Sequence, residues 1–347
     1  MSEKMRAAFL MEKRRYEIKE VDKPVPGDDE VLIRMKHVGI CGADVEFFDE
    51  GAVGAWMLEE PAIMGHEPAG EIAGFGKNVT GFEIGDPVVV EPGEPCWKCD
   101  LCKKGLYNLC YGVRFFGVPG NDGAFREFAN VSAEMVFKLP AGVSTLTGAL
   151  VEPLAVGFNC VDQSEAKFGM SATILGSGCI GLMILLVLRS RGLKNIYVVD
   201  TIDKRLQKAR ELGAAEIINA KEKDAVEAVN ELTGGKGTNL VYECTGSKEA
   251  TLQTVALAAK AGTITLIGLS SFADLPFDVN GFICKELIAK SNFRYKHQYP
   301  VVLEALKAGQ IDLEKVISDV FKFEDIQKAL ERNAFNKPDV IKAVIEF

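Results

Sequence analysis

Between residues 172 and 267 the chain alternates short apolar runs with amphipathic segments, and this alternation restricts the fold more than any other feature. Ala172–Leu175, Ile196–Val199, Glu216–Ile218, Leu240–Glu243 and Thr263–Ile267 read as strands. Ile180–Arg191, Lys204–Leu212, Ala225–Leu232 and Ala250–Ala259 read as the helices between them. Strands joined through helices predict a parallel sheet with right-handed crossovers. The first strand-to-helix connection reads Gly176-Ser177-Gly178-Cys179-Ile180-Gly181. Gly176 suits a tight turn, Gly178 lets the backbone approach a pyrophosphate, and Gly181 lets the helix pack close to its strand. The helix start at Cys179 and Ile180 then offers free amides and partial positive charge to phosphates. Asp200 closes the second strand, nineteen residues after Gly181. A carboxylate there meets ribose hydroxyls and repels a 2′-phosphate. Arg205 follows five residues on, placed to flank the adenine or ribose. The segment predicts NAD binding in preference to NADP; the plainer alternative is a tight turn without a ligand.

The first part of the chain has a different texture. Val31–Val38 alternates apolar and charged residues as a half-buried strand does. Gly70, Gly74, Gly76, Gly81 and Gly85 punctuate short apolar runs between Gly65 and Val90, the pattern of a compact β-barrel or sandwich. Ala124–Val131 and Val136–Leu139 continue it, whereas Val45–Phe48 is too short to assign. Gly148–Cys160 has helical spacing and is expected to bridge two domains. Tyr299–Phe347 returns to helices and ends in an apolar strand, Val340–Phe347. Two domains also suit 347 residues. The hydrophobic content of 48% and charged content of 26% are ordinary for a globular protein. A net charge of -9 argues against a nucleic-acid partner, which wants a basic face. Met1–Lys13 lacks the apolar core of a signal peptide, and the longest apolar run, Ile180–Leu188, is too short to span a bilayer. The expectation is a cytoplasmic, enzyme-sized protein with a small-molecule partner and no membrane association.

Four cysteines, Cys96, Cys99, Cys102 and Cys110, fall within fifteen residues. Short Cys-x2-Cys steps turn thiolates toward one point, and four complete a tetrahedral zinc shell. A closed shell leaves no position for substrate, so this zinc is expected to hold a loop together. A disulfide pair or scattered core thiols are the alternatives, and a reducing compartment disfavours the first. A second, open metal site is suggested by Cys41 in a glycine-flanked turn and by His66-Glu67. Thiolate, imidazole and carboxylate are good zinc ligands with a fourth position free. Asp44, three residues after Cys41, suits either a partner that orients His66 or a turn cap.

Gly65-His66-Glu67, followed by Gly70, Gly76, Val79 and Gly85-Asp86, resembles the zinc signature of the medium-chain alcohol dehydrogenase family. The four-cysteine loop and the Gly176 turn lie in that family's order, and the match runs nearly end to end. Glu91-Pro92-Gly93, Val151-Glu152-Pro153-Leu154, Glu243-Cys244-Thr245-Gly246 and Phe293-Arg294-Tyr295 resemble more specifically the polyol (sorbitol/L-iditol, xylitol) dehydrogenases. The resemblance implies a GroES-like β-barrel catalytic domain, residues 1–155 and 291–347. It implies a Rossmann domain for NAD inserted at 156–290, with Thr245 at the cofactor. It implies a catalytic zinc held by Cys41, His66 and either Glu67 or Glu152, and a homotetramer or dimer. Arg294 and Tyr295 would face the polyol or the cofactor; an ordinary surface-strand pair is the alternative. Phe47, Phe115 and Phe116 are candidate pocket walls, though each suits plain core.

Two departures stand out. Polyol dehydrogenases usually carry a serine or threonine two residues after the zinc cysteine, where this chain has Ala43. They often carry a histidine and a tyrosine a few positions on, where Glu46 and Phe47 stand. A proton relay would then run through Glu152, Glu46 or water. The expected activity is reversible, NAD-dependent oxidation of a polyol secondary alcohol to a ketose. The alternatives are a related alcohol, butanediol or threonine dehydrogenase, and a non-catalytic NAD(H)-binding redox sensor.

Overall fold

The computed structural model describes residues 3–54, 56–270, 274–275, 277–336 and 338–347. The chain divides into two compact units, Met1–Glu152 with Tyr299–Phe347, and Pro153–Gln298.

The first unit is organised by the Glu30–Gly39 strand. One edge of this strand pairs with Glu67–Phe75 along its length, antiparallel. The other edge is shared: Phe128–Ser132 covers Glu30 to Arg34, and the C-terminal strand Ala343–Glu346 covers His37 to Gly39. Pro87–Val90 and Val136–Lys138 extend the sheet beyond Glu67–Phe75, and Asp319–Lys322 extends it beyond the C-terminal strand. Apolar residues from these elements, among them Ile33, Met35, Phe47, Phe48, Ile72, Phe125, Phe323 and Leu330, form one core. The shared edge places chain segments far apart in sequence beside Gly39.

Several local expectations change. Val45–Phe48 lies inside a helix, Gly42–Glu50, whose C-terminus is closed by Gly51 at φ 74°. Of Ala124–Val131 only the end pairs as a regular strand, Phe128–Ser132. Its beginning instead bonds through Gly123, Ala124 and Phe125 to the backbone of Ile63, Gly65 and Met64, which fixes the turn ahead of His66. The terminal stretch contains a strand, Asp319–Lys322, parallel to Ala343–Glu346. Its alternating burial suits an edge strand better than a helix.

The second unit is a six-stranded parallel sheet. Its order is Glu216–Asn219, Ile196–Asp200, Ala172–Leu175, Thr238–Glu243, Ala258–Leu266 and Ile288–Ser291. Ala172–Leu175 is buried at every position, as a central strand covered on both faces must be. The helix expected to reach Ala259 stops at Leu257, and Ala258 already pairs with Thr238. Lys285 Nζ donates to the carbonyls of Val255, Ala256 and Ala258 and so terminates that helix. The edge strand Ile288–Ser291, mostly exposed, has no apolar run to announce it. Among the described residues no helix is long and apolar enough to cross a membrane.

Candidate functional site

Cys41 sits at the N-cap of the Gly42–Glu50 helix, with Asp44 in that helix's first turn. Asp44 is fully buried. Its Oδ2 accepts the Cys41 N–H at 2.9 Å and its Oδ1 accepts the Gly65 N–H at 3.2 Å. The same Oδ1 lies 3.8 Å from His66 Nδ1. Asp44 is therefore a turn cap and a neighbour of His66 at once. It ties the loop carrying the thiol to the loop carrying the imidazole. Gly65 has φ 88°, and a Cβ there would press on the Phe125 ring at 3.0 Å. Glycine at 65 lets the chain turn His66 inward.

One ligand atom each from Cys41, His66 and Glu67 lies within 4.8 Å of the others. His66 and Glu67 are buried, 6% and 2% exposed. Burial lowers the His66 pKa, but the negative charges of Cys41, Asp44 and Glu152 outweigh it and hold His66 well above its usual value. Burial likewise pushes the Asp44 carboxyl up, only partly offset by His66 and the Cys41 N–H. Sulfur, nitrogen and oxygen donors converge at one point, so the residues fit a divalent zinc ion. Glu152, 7% exposed, opens the Val151–Gln163 helix. It acts on His66 through its charge but stands outside the three-residue cluster. Of the two glutamates left open by the sequence, Glu67 is the one that joins Cys41 and His66.

One partner is invisible in the sequence. Lys342, 2% exposed, forms an ion pair with Glu67 Oε2, and its Nζ donates to the Ile40 carbonyl at 2.9 Å. Gly39 faces Glu67 on one side and Val344 on the other. A Cβ at Gly39 would lie 1.9 Å from Glu67 Oε2 and 3.0 Å from Lys342 Cε. The glycine thus makes room for the pair. Lys342 lacked any motif; only the pairing of the C-terminal strand beside Gly39 brings it to the site.

The four-cysteine loop converges as expected. Cys96, Cys99, Cys102 and Cys110 each place sulfur within 4.8 Å of the rest. The Cys99–Cys102 and Cys99–Cys110 sulfur separations are 3.5 and 4.0 Å. These bracket the edge of about 3.8 Å that a tetrahedron with Zn–S bonds of about 2.3 Å requires. Backbone N–H groups of Cys96 and Gly112 point at Cys110 Sγ, and that of Cys102 at Cys99 Sγ, as suits sulfurs carrying negative charge. No Cys–Cys disulfide is present among the described residues.

In the second unit, Gly176 has φ 96°, and a Cβ there would meet Thr245 Cγ2 at 2.7 Å. A Cβ at Gly181 would lie 1.9 Å from the Gly176 carbonyl oxygen, so the helix Cys179–Ser190 packs as closely as glycine permits. Asp200 Oδ2 accepts from the Ser177 N–H and hydroxyl at 2.6 and 2.8 Å, and Oδ1 from the N–H groups of Thr201 and Ile202. These bonds fix the carboxyl group at the strand end, beside the glycine turn. The Arg205 guanidinium lies 3.9 Å from the Cβ position of Gly178. Cys179 and Ile180, half-buried, open the helix. Thr245 is exposed and bonded to Glu243 Oε1.

Of the candidate substrate contacts, Phe47, Phe116 and Glu152 belong to the first unit and Arg294 and Tyr295 to the second. Phe47, 2% exposed, belongs wholly to the barrel core. Phe116 is half-buried, with the Arg126 guanidinium 5.8 Å from its ring. Phe115 lies against His66, ring centroids 5.4 Å apart. Glu46 is exposed and Ala43 half-buried. Arg294 is half-buried and Tyr295 buried, and both belong to the second unit.

Residues 27–141 match the alcohol dehydrogenase GroES-like domain, and residues 179–308 match the zinc-binding dehydrogenase domain. Sorbitol dehydrogenase of Bacillus subtilis strain 168 is 35% identical over 98% of this chain and 97% of its own. An Escherichia coli oxidoreductase/dehydrogenase of unknown specificity superposes with TM-score 0.95 at 35% identity, covering 99% of both chains. The 2R,3R-butanediol dehydrogenase of Bacillus subtilis superposes with TM-score 0.91 at 30% identity, again over 99% of both. With two metal-ligand clusters, a dinucleotide turn and this end-to-end likeness, the chain belongs to the zinc-type medium-chain dehydrogenase family and is a zinc-binding, NAD-dependent oxidoreductase.

Proposed function

We propose that the enzyme oxidises a secondary alcohol of a polyol of the sorbitol, L-iditol or xylitol type to a ketose, reducing NAD to NADH. The observation that carries this reading is the Cys41–His66–Glu67 cluster in a chain alike to a sorbitol dehydrogenase from end to end. When bound, zinc supplies Lewis-acid polarisation of the substrate hydroxyl, and NAD supplies the hydride acceptor. The rest falls to the chain. Cys41, His66 and Glu67 hold the metal, and Asp44 keeps the imidazole oriented. Lys342 balances the charge of Glu67. Glu152, buried and acting on His66, takes the hydroxyl proton and passes it outward, a task for which Ala43 offers no hydroxyl. Gly176, Gly178 and Gly181 shape the turn whose amides at Cys179 and Ile180 receive the pyrophosphate, with Thr245 beside it. Asp200 accepts the ribose hydroxyls, Arg205 flanks them, and Asp200 disfavours NADP. Arg294 and Tyr295 bind the polyol hydroxyls, and Phe116 forms an apolar wall. The two units serve as catalytic and NAD-binding domains, and the family resemblance supports a homotetramer or dimer, which light scattering tests.

Ala43 favours one second reading, a simpler vicinal diol, since it offers no relay hydroxyl two residues after Cys41. Turnover of a panel of polyols and 2,3-butanediol, with NAD and NADP, followed at the nicotinamide absorbance before and after chelation, decides. A polyol with NAD should give the highest kcat/KM. Faster turnover of butanediol than of every polyol supports the second reading, and no chelator-sensitive turnover of a polyol overturns the first.

A further inference from the structure

Residues 292–298 follow the edge strand Ile288–Ser291, and their backbone is unusual. Arg294 and His297 are both left-handed, at φ 55° and 57°. Residues with a Cβ persist in that conformation only where their surroundings over-determine it. Several of the groups that hold this segment are polar side chains from one helix face. Asn159, Asp162 and Gln163 project from the C-terminal half of the Val151–Gln163 helix at spacings of three and four, hence side by side. Asn159, 2% exposed, donates from Nδ2 to Asn292 Oδ1 at 2.6 Å and to the Arg294 carbonyl at 3.5 Å. Gln163 Nε2 donates to the same Asn292 Oδ1 at 3.3 Å. Asn292 Nδ2 then donates to the Arg294 carbonyl at 2.9 Å. At the flanks, Lys290 Nζ donates to the Gln163 carbonyl at 2.6 Å, and Gln298 Nε2 to Asp162 Oδ2 at 2.9 Å.

Apolar residues at 159 and 292 would bury as much surface. Amides add direction: a hydrogen bond sets the orientation of the peptide that accepts it. Both bonds converge on the carbonyl of Arg294, and that carbonyl belongs to the peptide linking Arg294 to Tyr295. We propose that Asn159 and Asn292 are positioning residues that lock the Arg294–Tyr295 peptide in its left-handed turn and thereby aim these two side chains at the polyol. This rests on the reading of Arg294 and Tyr295 as substrate contacts.

The test is a double-mutant cycle on the intact enzyme. Asn292→Asp keeps the shape and the acceptor for Asn159, removes the donor, and sets a carboxylate oxygen against the Arg294 carbonyl. The KM for the polyol should rise about tenfold, with kcat within about twofold and the KM for NAD unchanged. In an Arg294→Ala background the same change should lower kcat/KM by a clearly smaller factor, because the share of its action that passes through Arg294 is gone and only the share through Tyr295 remains. Purely structural loosening would instead lower kcat/KM by the same factor in both backgrounds, and that additivity overturns the proposal. So does an unchanged polyol KM in Asn292→Asp. If Arg294→Ala itself leaves polyol kinetics unchanged, the substrate-contact reading falls and this inference with it. A large Arg294→Ala effect without coupling removes this inference alone. Asn159→Leu, which fills the same space, runs the same cycle should Asn292→Asp not fold.

Discussion

Glu91 gives the sharpest test of the link between the barrel and the four-cysteine loop. It follows the Pro87–Val90 strand, is 5% exposed, and its Oε1 accepts the Tyr107 hydroxyl at 2.7 Å. Tyr107 belongs to the cysteine loop and lies 5.6 Å, centroid to centroid, from the Trp97 ring. Burial pushes the Glu91 carboxyl up from 4.5 to about 7, and the Tyr107 hydroxyl only partly offsets it. With the folded pKa above the unfolded one, the native chain holds a proton that the unfolded chain releases. The stability tied to that proton is complete below about pH 4.5 and is lost as pH rises to about 7. An interval of about 2.5 pH units at about 1.4 kcal/mol each amounts to about 3 kcal/mol. Glu91→Gln keeps an acceptor for Tyr107 and cannot ionise. Wild type and variant should therefore be alike near pH 4.5, with the variant more stable by about 3 kcal/mol at pH 8. The two tryptophans, Trp56 and Trp97, both lie in the first unit, so urea titrations followed by tryptophan fluorescence read the correct unit. Stability curves that run parallel from acid to alkaline pH refute the assignment.

Two further outcomes follow. Lys342→Met leaves the Glu67 carboxylate buried without its ammonium and should destabilise the zinc-free protein by about 3–5 kcal/mol, with Lys342→Met/Glu67→Gln recovering most of the loss in urea unfolding; a loss below about 1 kcal/mol in the single variant means the pair is not buried as described. Cys41→Ser should abolish turnover and leave the fold intact, whereas Cys99→Ser should lower the melting temperature and the zinc content by about one ion per chain; equal melting of the two variants would show that the metal sites do not divide into catalytic and structural.

What was legible in the sequence was local. The Gly176–Gly181 turn could be read because strand, glycine spacing and helix all fall within one short stretch, and backbone sterics at Gly176 and Gly181 leave few other residues possible there. The cysteine loop was legible for the same reason, since four thiolates so closely spaced have little else to converge on. Cys41, His66 and Asp44 were nameable as candidates, but only their convergence showed that Asp44 caps a helix and faces the imidazole together.

Other features depend on pairing between distant segments. Choosing Glu67 over Glu152 required the register that sets Glu67 opposite Gly39. Lys342 became a partner only because the C-terminal strand lies along the other side of that glycine. Asn159 and Asn292 carry no motif, being ordinary amides until a helix face and a left-handed turn meet. Turn geometry and metal-ligand spacing are set over a few residues by bond angles and steric exclusion, so sequence alone determined them. Charge balance and hydrogen-bond partners are set by which strands lie side by side, and that is decided only when the whole core closes.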